Sequence, residues 1–526
     1  MKVSEFKTFG GEMSNRYPEG LFSKDGVRKL LLLKHLYNSE GAVGIEELVF
    51  GLGLDRRSIY KLIGALNDLI QSEKSVPEIE AISRGQYIFR GNKIDYFRVR
   101  GEIVNDEPMM NLAKEFLTHK EVDFSNFCSE NFMSESTLRK YIRNANKLLN
   151  PLDLSVSIRK NKIRIQGNEA GIRYCLVSFF WRYFQGVSWP FKNIEQETLL
   201  RFISSLANVS EEISYGKRLQ LTYYWAVFIQ RAQIGCEISN ANLPSYFEAL
   251  LTNNEYFKRF SKKFALKYKL NPQEVKIIFF ILYVFPESYK YIQNTSETLS
   301  VLKSKEPESY KSIREFIVFV RDKHPDFEII SEKRARFVAM LISGRIFVDI
   351  FKGIYFNSSA LTIFTYSANN YPHFLPSIRK HIKETSPQLS ENTMKSLTLR
   401  YAQAYAAEFS PRDFEVKLLI LLDTDFPLYV DVIMRKRLEH LLSPRFNYEW
   451  VSLKQKVLPD LLLATGPTDL RFSNVAKVFI NAEVSEQDRK NILERCEELI
   501  RKIIDYKRIV IYIKDKYLID TCLFLL

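Results

Sequence analysis

The chain has 526 residues, 46% hydrophobic and 26% charged, and its 76 Lys and Arg against 62 Asp and Glu give a formal net charge of +14. At roughly 100–200 residues per domain, this length implies several folding units, and the composition excludes wholesale disorder. A basic excess spread over so long a chain favours an anionic partner without naming one.

The N-terminus, Met1 to Lys7, lacks the apolar core of a secretory signal. The most apolar runs, Tyr174 to Trp181 and Ile277 to Pro286, fall short of the ~20 residues a membrane helix needs. Cysteines 128, 175, 236, 496 and 522 lie far apart, with no CxxC and no Cys/His cluster. That spacing fits buried thiols in a reducing cytoplasm better than disulfides or zinc. The chain therefore reads as cytoplasmic, without a membrane partner, metal or cofactor, and residues 1–20 read as a flexible arm.

An internal repeat follows at an offset of 79 residues: Ser58-Ile59-Tyr60-Lys61-Leu62-Ile63 aligns with Thr137-Leu138-Arg139-Lys140-Tyr141-Ile142, and Asn67 and Leu69 then meet Asn146 and Leu148. Ile59, Leu62, Ile63, Leu66, Leu69 and Ile70 recur at helical spacing, as do Leu138, Tyr141, Ile142, Ala145, Leu148 and Leu149. Each set makes one apolar helix face. Asp55 and Ser134 stand at the N-cap positions, where a side-chain oxygen accepts from the free amides of the first turn. Each helix is preceded by a short amphipathic segment, Ile45 to Leu54 and Phe124 to Met133, whose last apolar residue (Leu54, Met133) is expected to be buried in a tight turn. A β-prone hairpin follows each copy: Ile79 to Arg90 around Arg84-Gly85, and Leu154 to Gln166 around Lys160-Asn161. Helix, turn, capped helix and two-stranded wing make two winged helix-turn-helix domains, 21–105 and 106–167.

The chemistry of both copies suits double-stranded DNA. Arg56, Arg57, Ser58, Tyr60 and Lys61 would line the exposed N-terminal face of the first recognition helix, and Ser136, Thr137, Arg139, Lys140 and Arg143 that of the second. Such residues reach major-groove base edges and phosphates. Arg84, Arg159, Lys160 and Lys162 on the wings would take backbone or minor-groove contacts. From Ser134 to Gly167 there are eight Lys and Arg against two Asp and Glu, whereas residues 1–168 as a whole carry 26 against 22. The useful charge is thus local to the second copy.

From 168 to about 410 the periodicity is helical, over Ile172 to Phe184, Leu219 to Arg231, Pro272 to Phe285, Ile313 to Lys323, Lys333 to Gly353 and Thr393 to Glu408. Lys217-Arg218 and Lys333-Arg334 each open an apolar helix, which divides the region into 168–289 and 290–410. After Pro411, strands alternate with helices: Val416 to Leu422, Phe446 to Leu453, Asp460 to Thr465 and Lys477 to Val484 read as strands, with helices through Leu442 and from Glu486 to Tyr506. This predicts a small α/β domain with a parallel sheet over 411–526. The acidic loop Asp423-Thr424-Asp425 reads as capping and solvation, and no motif in the chain supports catalysis.

This order of parts, the helix-turn-helix segments and the stretch NEAGIRYCLVSFFWRYF (Asn168 to Phe184) resemble the Mga/AtxA-like family of transcription (virulence) regulators of Gram-positive pathogens. The resemblance implies that the helical repeats are regulation domains (PRDs) of the sugar phosphotransferase system (PTS), that the tail is EIIB-like, and that members bind DNA as dimers or larger oligomers. It also implies control by a PTS phosphocarrier protein that phosphorylates histidine. Because residues 169–289 hold no histidine, the candidates are His324, His373 and His381, each of which reads equally as a surface histidine without a role. An active EIIB domain would carry a cysteine after its first strand; here Asp423 to Asp425 stand there, so the tail is expected to make a homodimer rather than to transfer phosphate. Three rivals remain: an RNA-binding antiterminator, which would need a small β-rich RNA-binding domain at the N-terminus; a phosphotransfer enzyme, which would need that cysteine; and a scaffold whose helix-turn-helix units bind protein.

Overall fold

The computed structural model describes residues 20–72, 76–206, 213–252, 254–290, 294–325, 327, 331–356, 371–455 and 457–523. The expected arm at 1–20 lies, apart from Gly20, outside them. The chain divides into two compact units, Met1–Thr365 with Arg379–Ala407 and Tyr366–Ile378 with Glu408–Leu526.

The first unit opens with two similar assemblies. Helix α1 (Lys24–Asn38), β1 (Val43–Gly44), α2 (Ile45–Leu52), α3 (Arg56–Ser72), β2 (Ile79–Ser83) and β3 (Gln86–Phe89) form one. After α4 (Lys93–Asn105), the second comprises α5 (Pro108–Thr118), β4 (Val122–Asp123), α6 (Phe124–Glu130), α7 (Glu135–Leu149), β5 (Ser155–Arg159) and β6 (Lys162–Gln166). Each closes on a three-stranded antiparallel sheet, in the orders β1-β3-β2 and β4-β6-β5.

The apolar faces read from the repeat are the cores. Ile59, Leu62, Ile63, Leu66 and Ile70 are buried in the first assembly. In the second, Leu138, Ile142 and Ala145 pack with Leu112, Phe116, Phe124, Phe127, Val156 and Ile163. Leu54 and Met133, expected to be buried, are half-buried. Helices α1 and α4 are additions to the repeat reading: α1 supplies Leu30, Leu33 and Leu36 to the first core, while α4 joins the two assemblies.

The repeated asparagines have a clear purpose. Asn67 Nδ2 donates to the Ile79 carbonyl at 3.0 Å and its Oδ1 accepts the Ile79 amide at 2.8 Å. Asn146 clamps Val156 in the same way, at 2.8 and 2.7 Å. Each amide side chain thus imitates a strand partner and ties its helix to the first hairpin strand, satisfying two backbone groups that would otherwise be stranded beside the core.

Helix α8 (Glu169–Phe184) begins only two residues after β6. Gly167 stands at φ +133°, where a Cβ would lie 2.4 Å from Leu154 Cδ2 and 2.8 Å from the Asp153 carbonyl oxygen, so no other residue fits. Asn168 caps α8 by accepting from the Ala170 and Gly171 amides. The bundle continues with α9 (Gln196–Ser204), α10 (Tyr215–Gln233), α11 (Phe247–Thr252), α12 (Glu255–Tyr268), α13 (Pro272–Phe280), α14 (Thr295–Lys305), α15 (Pro307–Lys323), α16 (Ser331–Ile350), α17 (Phe374–Thr385) and α18 (Glu391–Glu408). The division between units falls inside α17. Helix α13, expected to reach Phe285, passes instead into a 3₁₀ turn at Ile281–Val284, because Pro286 forces the residue before it into extended geometry. Helices α10 and α16 start 116 residues apart, and the pairs α12/α17 and α13/α18 start 119 apart, consistent with the spacing of Lys217-Arg218 and Lys333-Arg334.

The second unit holds β7 (Lys417–Asp423), α19 (Leu428–Leu442), β8 (Asn447–Val451), β9 (Leu461–Ala464), β10 (Ala476–Phe479) and α20 (Glu486–Leu523). All neighbours in the order β10-β9-β7-β8 are parallel. All four residues of β9 are buried, as a parallel strand covered on both faces requires. The last strand, expected to run to Val484, stops at Phe479: the Asn481 and Ser485 amides turn onto Asp488 Oδ2, and Val484 adopts φ +53°. Helix α20 passes its expected end at Tyr506, since residues 507–523 contain no Gly or Pro to stop it. At the loop after β7, Thr465 Oγ1 donates to Asp425 Oδ1 at 2.6 Å and the Thr424 hydroxyl bonds Asp431, so these acids serve to close the loop.

Candidate nucleic-acid interface

The entry to α3 is fastened before any partner arrives. Asp55 Oδ1 accepts the Ser58 amide at 2.9 Å and its Oδ2 accepts the Ser58 hydroxyl at 2.7 Å. These bonds hold the Asp55 carboxyl below its ordinary value. At α7, Ser134 Oγ accepts the Thr137 amide at 3.2 Å and lies within hydrogen-bond distance of the Ser136 and Thr137 hydroxyls. Ser58, Ser136 and Thr137, read as DNA contacts, are therefore engaged in the caps.

The cations divide into paired and unpaired sets. Arg56 pairs with Glu46. Arg139 lies 3.6 Å from Glu135 and stands over the Phe124 ring at 4.5 Å. Lys162 pairs with Asp123 at 3.1 Å, and that carboxyl is held low, first by the Asn126 amide and then by Lys162. Arg57, Lys61, Arg84, Lys140, Arg143, Arg159 and Lys160 are exposed and have no ion-pair partner among the described residues. Tyr60 is exposed, with its ring edge-on to Tyr87 at 6.2 Å.

Each hairpin tip is bonded to the start of its helix-turn-helix. The Gly85 carbonyl accepts the Ile45 amide at 2.7 Å, and the Asn161 carbonyl accepts the Phe124 amide at 2.9 Å. Lys160 and Asn161 both have positive φ, +48° and +58°, a tight turn that presents Lys160 outward. Ser125 and Asp123 hold the Asn161 side chain from either side. Asn161 and the Asn67/Asn146 pair are positioning residues that a search for cations overlooks, although the offset of 79 already aligns the latter two. Helices α3 and α7 and their hairpin tips thus present unpaired positive charge from a prearranged frame.

The three histidines differ in setting. His373 Nδ1 lies 2.6 Å from Glu415 Oε2, and its side chain is 42% exposed. His324 Nε2 lies 2.7 Å from the Tyr405 hydroxyl. His381 is stacked on Phe319 at 4.3 Å, and burial pushes its imidazole below the ordinary histidine value.

Residues 97–180 match the Mga helix-turn-helix domain. The chain is also similar to the capsule synthesis positive regulator AcpB of Bacillus anthracis, 18% identical over 370 residues, covering 64% of this chain and 71% of that protein. Both matches point to regulators of the Mga/AtxA type.

The segment matching Mga contains all of α5 to α7, the β5–β6 hairpin and most of α8. It therefore spans the joint between the second assembly and the bundle. At that joint Arg231 of α10 donates to both Glu169 carboxylate oxygens, at 2.8 and 2.6 Å, and to the Phe116 carbonyl of α5 at 2.7 Å. Arg173, fully buried, bonds Glu169, the Cys236 carbonyl and both oxygens of Glu274. Two arginines thus balance two glutamates in a network where every charge is hydrogen-bonded, the condition for holding ions out of water. No helix among the described residues is long and apolar enough to cross a membrane.

Proposed function

We propose that this chain is a DNA-binding transcription regulator of the Mga/AtxA type, reading double-stranded DNA with two winged helix-turn-helix modules, 21–105 and 106–167. The observation that carries the reading is the coincidence, in both copies, of a capped recognition helix and a hairpin tip bearing exposed, unpaired cations: Arg57, Lys61 and Arg84 in one, Lys140, Arg143, Arg159 and Lys160 in the other. The match to the Mga helix-turn-helix domain and the similarity to a capsule synthesis regulator support it. Phosphate neutralisation makes such binding salt-dependent, with a slope of about −0.9 in log K against log salt for each phosphate engaged. The test is fluorescence anisotropy of the full chain with labelled duplexes over a salt series. A steep linear fall is expected, and no duplex binding at low salt would overturn the reading.

Control runs, in the same proposal, through the helical regions 168–289 and 290–410 acting as PRD-like domains, with the PTS phosphocarrier protein as donor. His373 is the first candidate, because Glu415 orients its ring through Nδ1 and the side chain remains partly exposed. His324, engaged with Tyr405, and His381, packed against Phe319, follow. The EIIB-like tail, 411–526, serves homodimerisation: α19 exposes Leu428, Tyr429, Val432 and Ile433 along one face, and a second copy would cover it.

A further inference from the structure

Phe132 lies in the turn between α6 and the recognition helix α7, with 97% of its surface exposed. Its backbone is left-handed, φ +50°, a region where a bulky side chain is a steric outlier. The internal repeat supplies the comparison, because the aligned position 79 residues earlier is Gly53, at φ +63°. One copy thus uses the residue the turn favours, and the other retains a strained phenylalanine whose ring packs on little of the protein. The turn leaves the ring no way back: the Met133 amide bonds the Cys128 carbonyl at 3.0 Å, and Asn131 is held by Asn111 and by the Phe127 carbonyl. The first copy also presents a phenyl ring at this corner, from one helical turn earlier: Phe50, on the last turn of α2, is 91% exposed.

Neither ring is covered by its own fold, and in sequence Phe132 lies eight residues before Lys140 and Phe50 seven before Arg57. We infer that Phe132 is an apolar DNA contact that packs on thymine 5-methyl groups at the major-groove edge. This rests on the DNA-binding reading and adds to it a source of base preference. A recognition helix enters the major groove by its N-terminal end, and Phe132 lies two residues before the Ser134 cap. Of the four base pairs, only A·T and T·A offer a methyl group there, and apolar side chains are its natural partners. The exposed cations of α7 and its hairpin supply attraction that is blind to sequence; the ring adds discrimination without adding charge.

The test compares the full-length chain with its F132G variant on labelled mixed-sequence A·T-rich duplexes made either with thymine or with deoxyuridine, which lacks the methyl group. The wild-type chain is expected to bind the deoxyuridine duplex about fourfold more weakly for each methyl group that the ring would otherwise cover. F132G is expected to bind both duplexes alike, at the weaker level, with an unchanged salt slope. The variant should melt no lower than the wild-type chain by circular dichroism, since glycine relieves the left-handed turn. Equal wild-type affinity for the two duplexes, or discrimination that survives in F132G, would overturn the inference while leaving DNA binding intact. A wild-type chain that binds neither duplex would remove both.

Discussion

His381 stacks on Phe319, and its Nε2 has no hydrogen-bond partner among the described residues. Burial, outweighing the nearby Glu384 and Glu315, lowers its pKa. The unfolded chain therefore binds this proton at a pH where the folded chain does not, and stability rises with pH across that window. Acidification through about pH 6.5, the ordinary histidine value, should lower the melting temperature. His381→Phe should flatten that dependence between about pH 5 and pH 8; an unchanged slope would assign the acid sensitivity elsewhere. His373 calls for a different measurement. Incubation with the phosphorylated PTS carrier protein should give an acid-labile phosphate that His373→Ala abolishes, and persistence of the label would move the site to His324 or His381. At this scale the sequence was informative about residue type but not about engagement. It marked Ser58, Ser136 and Thr137 by type but did not reveal that their hydroxyls bond within the caps, because a hydroxyl near a helix start serves amide and phosphate equally well.

Among the elements, α7 allows its cap and its charge to be separated. Ser134→Ala removes the oxygen that accepts the Thr137 amide and should cost about 1 kcal/mol in denaturant unfolding. Lys140→Ala with Arg143→Ala should leave stability within about 0.5 kcal/mol, yet make the salt slope of DNA binding shallower by about 1.8, two phosphates' worth. An unchanged slope would remove this face from the interface. Arg139 is the poorer choice for mutation because it also covers the Phe124 ring. On α19, Tyr429→Asp with Val432→Asp places charge on the exposed apolar face; if this face makes the proposed homodimer, light scattering should report half the wild-type mass, and an unaltered mass would refute dimerisation there. Helices α3 and α7, the hairpins and the parallel strands were legible because periodicity and turn chemistry are local signals. Helices α1 and α4 were not, since the repeat was anchored on the recognition helix and the approach to it differs between copies. The end of β10 was also hidden: it is set by Asp488, which gathers the Asn481 and Ser485 amides from nine residues beyond Phe479.

For the first unit as a whole, the Arg231 network carries the connection between the second helix-and-hairpin assembly and the bundle. Arg231→Ala would leave Glu169 facing Arg173 alone and the Phe116 carbonyl without its donor. Breaking a buried pair from one side costs about 3–5 kcal/mol. Denaturant unfolding of the full chain should show a loss of that order, with faster amide exchange at the C-terminal end of α5. A loss below about 1 kcal/mol would deny the network its weight. Nothing in the sequence announced this joint, because its partners Phe116, Glu169, Arg173, Arg231 and Glu274 come from four helices and meet only after the bundle has folded.

The two residues between β6 and α8 bear on how relatives of this chain could exchange parts. Gly167 fills its place with no room for a Cβ, and Asn168 is already the cap of α8. A crossover at this point would graft a foreign helix onto a hairpin whose last residue must match Leu154 and Asp153, and onto an α5 whose terminal carbonyl expects Arg231. The heritable cassette is therefore not a winged module alone but the module with α8 attached, and functional chimaeras should tolerate junctions before α5 far better than junctions after β6.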